Sequence, residues 1–305
     1  MKQKVLLKFC VLTVVALGLS ASCPAFAASG TNSVASSAGD QRYKIGVCDW
    51  MILKRQKLGA FQLAKDLGMD GVEVDMGSLG RRPTFANSLT NAANCQKFLD
   101  QAHQLDLQIC SIAMSGFYAQ SFAERTNVLQ MVQDCIDTMK RMNVKTAFLP
   151  LGVTSDLLEH PELRPQVVER LRAAGKLAER AGVVIGVETE LDADGQIKLL
   201  DEVGSPAIKI YYNLANAIQH HRDYVKELLL LGKDRVCQIH FSNTDGYWLQ
   251  KDPQVNAQNI KGALDEMGWS GWLVIERSRD TIDVHNVRKN YGANAAYLKS
   301  VFQKP

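Results

Sequence analysis

The chain lacks a charge of either sign in excess, a paired-cysteine motif, a glycine-rich phosphate loop and any long apolar run beyond its first 27 residues. Each absence excludes something. Lys and Arg number 35 against 32 Asp and Glu, a formal +3, and Lys2, Lys4 and Lys8 carry that whole excess. Without them the chain is neutral, so it has no electrostatic footprint for nucleic acid or an anionic membrane. Cysteines 10 and 23 lie in the first 27 residues, leaving Cys48, Cys95, Cys110, Cys135 and Cys237. Their number is odd and no CxxC occurs, which argues against a disulfide framework or a zinc ribbon and for buried small hydrophobes. No glycine fingerprint follows the first apolar run, which weakens a dinucleotide-binding reading. Neither a second domain nor a short-period repeat is visible.

What is present is a globular composition, 46% hydrophobic and 22% charged over 305 residues, enough for one large domain with a substantial core. The first residues form a secretory pattern: three lysines, an apolar stretch from Phe9 to Leu19, and the small-x-small site Ala25-Phe26-Ala27. A span would need about 20 apolar residues, so residues 1–27 read as a cleaved signal peptide and no stable membrane span remains. Cys23 offers a lipoprotein alternative, but Ser20-Ala21-Ser22 lacks the usual leading Leu. The expectation is export to the periplasm or beyond. Residues 28–42, small and polar, read as a flexible leader, and 43–305 as the folded domain.

From residue 43 one theme repeats: a short apolar run ending in a polar residue, then a helical pattern. The runs are 43–50, 71–76, 107–113, 144–150, 183–188, 207–213, 235–240 and 271–276, with helices between them such as 91–105, 122–142, 163–180 and 255–267. Gly182 and Gly268 stand where helices should stop. Eight such units in about 260 residues match a single α/β (β/α)8 TIM barrel, with a doubly wound open sheet as the competing topology.

A barrel places function at the C-terminal ends of its strands. The last four runs end in Glu188, Asn213, His240 and Glu276, a mixed oxygen and nitrogen set for a divalent cation. Oxygen-rich ligands favour Mn²⁺, with Mg²⁺, Co²⁺ or Zn²⁺ as alternatives, and no thiolate demands zinc. Glu190 shares the alternation of Glu188 and competes with it. Trp50, ending the first run, is a candidate platform for an apolar substrate face, against a plain core or rim aromatic. Glu73 and Asp75 end the second run and are candidates for hydrogen bonds to substrate hydroxyls, against a loop salt bridge. Asp194, Arg277, Arg279 and His285 lie within reach of the mouth, and His220-His221 read as a polar connection.

The segments IGVCDW (45–50), LGMDGVEVD (67–75), AGVVIGVETEL (181–191), EVGSPAIKIYYNLANA (202–217), RVCQIHFSN (235–243) and MGWSGWLVIE (267–276) resemble the xylose isomerase-like barrels, in particular the sugar phosphate isomerase/epimerase family. The resemblance covers about residues 43–300. It implies a Glu, Asp, His, Glu metal set falling on Glu188, Asn213, His240 and Glu276, and a substrate-binding residue at Asn216. It further implies epimerisation through an enediolate, with Glu188 and Glu276 as bases on opposite faces of one carbon, and family members are often dimers or tetramers. This chain departs from the pattern at Asn213, where the family carries Asp, at Ser242-Asn243, where Lys-Asp is usual, and at Leu249-Gln250-Lys251-Asp252, where a glycine-rich turn is common. Export points to an unphosphorylated carbohydrate. The favoured function is a metal-dependent sugar isomerase or epimerase. The alternatives are a keto-glycoside lyase or hydrolase using the same metal and base, and a non-catalytic carbohydrate-binding barrel. A DNA-repair endonuclease of the superfamily is disfavoured, because its histidine-rich three-zinc site has no counterpart here.

Overall fold

A computed structural model describes residues 41–303. The expected signal peptide (1–27) and nearly all of the leader (28–42) lie outside the described residues. Eight parallel strands, β1 (Tyr43–Cys48), β2 (Gly71–Asp75), β3 (Gln108–Ala113), β4 (Thr146–Pro150), β5 (Val184–Glu188), β6 (Ile208–Asn213), β7 (Val236–His240) and β8 (Gly271–Ile275), follow one another in sequence order around a closed barrel. Closure is made by β1 against β8, with Tyr43 to Val47 opposite Gly271 to Ile275, which excludes the open sheet. All eight apolar runs are strands, displaced by no more than two residues at any end.

The helices are α1 (Gly59–Asp66), α2 (Ala92–Gln104), α3 (Val128–Arg141), α4 (Arg164–Ala181), α5 (Ala193–Val203), α6 (Leu214–Gln219), α7 (Tyr224–Arg235), α8 (Ala257–Glu266) and α9 (Val287–Phe302). Each buries an apolar stripe against the barrel. In α3 this is Met131, Val132, Cys135, Ile136 and Met139, spaced at three and four residues. Caps set several ends: Asn91, Asp192 and Asn256 accept backbone N–H bonds at the starts of α2, α5 and α8. Gly182, at φ 64°, ends α4 in the left-handed conformation expected of it.

Two helical expectations are corrected. The pattern at 122–142 starts as a helix only at Val128, because Phe122 packs edge-on against Phe117 at 5.5 Å within a loop. Its apolar character serves the core, not helical periodicity. After β6 the chain forms two helices, the six-residue α6 and then α7, instead of one. That short helix starts on Asn213 and carries Asn216 into the barrel mouth.

Candidate functional site

The barrel interior carries a buried polar layer, Glu73, Ser111, Gln238 and His240. Glu73 on β2 is fully buried, and its carboxylate accepts hydrogen bonds from Ser111 (2.5 Å) and Tyr211 (2.7 Å) and contacts His240 Nε2 at 2.9 Å. Gln238 donates to both the Ser111 and Tyr211 hydroxyls. Gly186 leaves room for this layer, since a Cβ there would come within 2.9 Å of Tyr211 Cβ and 2.6 Å of Cys237 Sγ. A buried carboxylate needs such a full set of donors. The network clamps the His240 ring by its Nε2 edge and turns Nδ1 toward the mouth.

There, Glu188 ending β5 and Glu276 just past β8 face each other across the C-terminal end of the barrel. His240 Nδ1 lies 3.1 Å from Glu188 Oε2 and 3.9 Å from Glu276 Oε2. The Asn213 amide nitrogen donates to the same two oxygens, at 2.8 and 3.2 Å. The outer oxygens of both glutamates accept from one phenol: Tyr118 OH stands 2.8 Å from Glu188 Oε1 and 2.9 Å from Glu276 Oε1. Burial alone would push His240 down, but the charges of Glu276 and Glu73 and hydrogen bonds to Glu188 and Glu73 hold its pKa up to about 10. Burial pushes Glu276 above the usual carboxylate range despite the opposing charge of His240. Burial and then the two glutamate charges push the Tyr118 phenol well above its ordinary value. A cavity of about 530 Å³ opens above, lined by Tyr118, Gly152, Glu188, Glu190, Asn216 and Arg277 among others.

The sequence profile of the xylose isomerase-like TIM barrel family matches residues 61–301. The chain belongs to this family. A 2-epi-5-epi-valiolone 7-phosphate 2-epimerase of Actinoplanes sp. is 24% identical over 181 residues, which is 59% of this chain and 65% of that protein, just under two thirds of its length. Among solved structures, D-psicose 3-epimerase of Clostridium cellulolyticum superposes with a TM-score of 0.66 at 14% identity, covering 85% of this chain and 99% of that one. A 3-keto-D-glucoside 4-epimerase of E. coli gives 0.65 at 16% identity, with 85% and 99% covered. At such identities these structures share the fold.

Within this xylose isomerase-like barrel, the four strand-end residues meet as the sequence implies, and Asn216 lines the cavity with its amide donating to the Thr189 carbonyl at 3.3 Å. Trp50 stacks on Phe148 at 6.3 Å and stands edge-on to His240 at 6.4 Å, half-buried beside the site. Glu73 is a correction. It has no exposed surface for a substrate hydroxyl and holds His240 instead. Asp75 is likewise buried and bonded to Arg55 at 3.0 Å. Glu190 turns aside to His220 at 3.0 Å, leaving Glu188 as the inner carboxylate. Of the residues beyond β8, Arg279 pairs with Asp245 at 2.7 Å, while Arg277 lines the cavity.

Tyr118 was not legible as a site residue. It lies in a single 3₁₀ turn (Ser115–Tyr118) after β3, a strand that ends on Ala113 with no polar residue to mark it. Gly152, at φ +63°, lets the loop after β4 close on that turn: a Cβ would lie 2.5 Å from the Phe117 carbonyl oxygen and 2.6 Å from Tyr118 Cα.

Glu188, His240 and Glu276 bring their ligand atoms within 4.8 Å of one another, a group able to hold a metal ion. Their chemistry fits: two carboxylates, and an imidazole whose far nitrogen is anchored to a carboxylate, the usual support for a metal-binding histidine. Asn213 does not fit as a ligand in this orientation. Its Oδ1 accepts from Ala215 N–H at 3.0 Å and from the Ser242 hydroxyl at 2.9 Å, so the nitrogen faces the glutamates. Ser242 and Asn213 therefore act as a matched pair, the hydroxyl fixing which way the amide points. Cys48, Glu73 and His240 form a second close group. There the thiol is pushed well above its ordinary value, first by burial and then by the charge of Glu73, and Glu73 already has its donors.

Proposed function

We propose that this protein is a sugar isomerase or epimerase that moves a proton on the carbon beside a carbonyl, with Glu188 and Glu276 as its acid and base. The observation that carries this reading is their symmetric arrangement. Each glutamate keeps one oxygen inward on Asn213 and His240 and one outward on the shared Tyr118 hydroxyl. Two outward carboxylate oxygens within 2.9 Å of one intervening atom match the need of two-base chemistry, which requires a base and an acid on opposite sides of one substrate carbon.

Glu188, His240 through Nδ1, and Glu276 would hold a divalent metal, with Mn²⁺ favoured by the oxygen-rich set. When bound, it would polarise the carbonyl and stabilise charge developing on its oxygen. The chain's own groups do the rest. Glu73 fixes the imidazole, Tyr118 orients the outer oxygens, and Asn213 keeps the inner ones paired. Buried surroundings raise the basicity of the Glu276 carboxylate. Glu276 is 3% exposed and lies on the Tyr118 hydroxyl, so a substrate reaches it by displacing that hydroxyl.

The relatives' names point to carbohydrate-like substrates, one of them a keto-glucoside. The cavity of about 530 Å³ runs from Glu188 to Asp156, Glu159 and His160, and this extent favours a second reading, a lyase or hydrolase of keto-glycosides. Removal of residues 1–27 and export remain part of the proposal. Among the described residues no helix is long and apolar enough to cross a membrane. Assembly into a homo-oligomer is tested by light scattering.

The deciding experiment incubates the Mn²⁺-supplemented protein in D₂O with ketohexoses, 3-keto-glucosides and their uronate and phosphate counterparts and follows the sugar by NMR. Deuterium beside the carbonyl with an epimeric product supports the main reading, and release of the aglycone supports the second. No exchange in any sugar overturns both.

A further inference from the structure

Arg277 follows Glu276 directly and lines the cavity with Glu188, Tyr118 and Asn216. It is half-buried, yet its guanidinium makes no ion pair and no side-chain hydrogen bond with any described residue. Every other half-buried arginine is engaged. Arg55, Arg164 and Arg279 pair with Asp75, Glu202 and Asp245, while Arg125, Arg170 and Arg222 donate to backbone carbonyls. A guanidinium left open at the wall of a cavity offers a rigid fork of donors suited to a carboxylate or phosphate.

The cavity is polarised. Arg277 stands on the β8 side, whereas Asp156, Glu159 and Glu190 line the side formed after β4 and β5. Glu190 is already bonded to His220, and the Asp156 carboxylate accepts from Leu158 N–H at 3.0 Å. A molecule lying over Glu188 thus has a cation at one end and hydrogen-bond acceptors at the other. That is the pattern of a polyhydroxylated compound with an anionic group at one end.

We propose that Arg277 anchors an anionic substituent, so that the substrate is an acidic sugar instead of a neutral ketose: a keto-uronate for an exported protein, a sugar phosphate for one retained inside the cell. This rests on the isomerase reading for the identity of the ligand as a sugar. Arg277 sets specificity, while the proton chemistry stays with the glutamates. Carboxylate and phosphate share the same recognition chemistry, and the two acid probes below separate them.

The test measures binding of D-fructuronate, D-fructose 6-phosphate and D-fructose by calorimetry to the wild-type protein, Arg277→Gln and Arg277→Lys, with deuterium exchange followed in parallel. One acid probe should bind about tenfold or more tighter than D-fructose, the gain expected of a charge-assisted pair. The ratio should collapse toward one in Arg277→Gln and recover in part in Arg277→Lys. Equal binding of all three sugars, no binding of either acid, or a ratio that survives Arg277→Gln overturns the proposal. Exchange into sugars without acid preference removes the anchor and leaves the isomerase reading standing. Arg277-dependent acid binding without exchange in any probe keeps the anchor and removes the isomerase reading.

Discussion

Replacing Asn213 with Asp, the residue that the sequence resemblance implies for this position, exposes the logic of this centre. In the native arrangement the amide nitrogen donates to Glu188 Oε2 and Glu276 Oε2 at 2.8 and 3.2 Å. An aspartate there has no donor and adds a third buried carboxylate. Each hydrogen bond to a charged group contributes about 1.5–3 kcal/mol, so losing both destabilises the metal-free protein by roughly 3 kcal/mol or more. For a fold of this size that lowers Tm by about 6–12 °C. The new carboxyl escapes part of the penalty by taking up a proton and donating one bond, so the deficit in EDTA grows as pH rises. A divalent cation reverses the balance, because the third carboxylate now faces it, and Mn²⁺ should bind Asn213→Asp at least about tenfold tighter, worth about 1.4 kcal/mol. Thermal unfolding in EDTA and across a Mn²⁺ titration reads both effects, since stabilisation rises with ligand concentration over Kd. If Asn213→Asp matches the wild type in EDTA, the amide does not hold the glutamates together. If Mn²⁺ stabilises the variant no more than the wild type, position 213 does not face the metal.

Three further outcomes follow from the same geometry. Tyr118→Phe removes the hydroxyl bonded to both glutamates and should cost about 1–2 kcal/mol in chemical denaturation. Because that bond lowers the Glu276 pKa, its loss should also move the acid limb of the exchange pH profile upward, and an unmoved limb would count against Tyr118 as a positioning residue. Gly152→Ala places a Cβ 2.5 Å from the Phe117 carbonyl oxygen at a left-handed φ, so stability should fall by at least about 1–2 kcal/mol, with a native-like Tm as the contrary result. Burial pushes Asp75 up to about 6 despite the Arg55 charge, beside the equally buried Asp49. Between about pH 4 and 6 the folded state then holds more protons than the unfolded one, and stability falls as pH rises, by roughly 3 kcal/mol at most. The wild-type minus Asp75→Asn difference, taken by urea unfolding across that window, should show this slope, and a flat difference would contradict it.

The barrel was legible because its strands are buried on both faces and read as apolar runs, the last four of them closed by a polar residue at the functional rim. Glu188, Asn213, His240 and Glu276 share that signature, and the closed sheet brings them together. Glu73 carries the same signature with a different outcome. It points inward one layer below the mouth, and only the Ser111, Tyr211 and Gln238 network distinguishes holding His240 from binding substrate. Tyr118 was illegible because a loop turn places it, and turn geometry has no periodicity to read. The orientation of the Asn213 amide depends on Ser242 and on the first turn of α6, contacts that strand pattern does not encode. Arg277 and Arg279 are indistinguishable in sequence, and Asp245, lying between β7 and α8, decides which of them remains available.

The opposed roles of Glu188 and Glu276 are tested most directly by deuterium exchange in the single variants Glu188→Gln and Glu276→Gln, each presented with both epimers of the sugar that the wild type converts. Two-base chemistry predicts that epimerisation falls by about 10²–10⁴-fold in each. Each variant should still exchange the proton of one epimer only, and the two variants should choose opposite epimers. Epimerisation persisting in either variant, or exchange of both epimers by one remaining glutamate, would contradict the assignment.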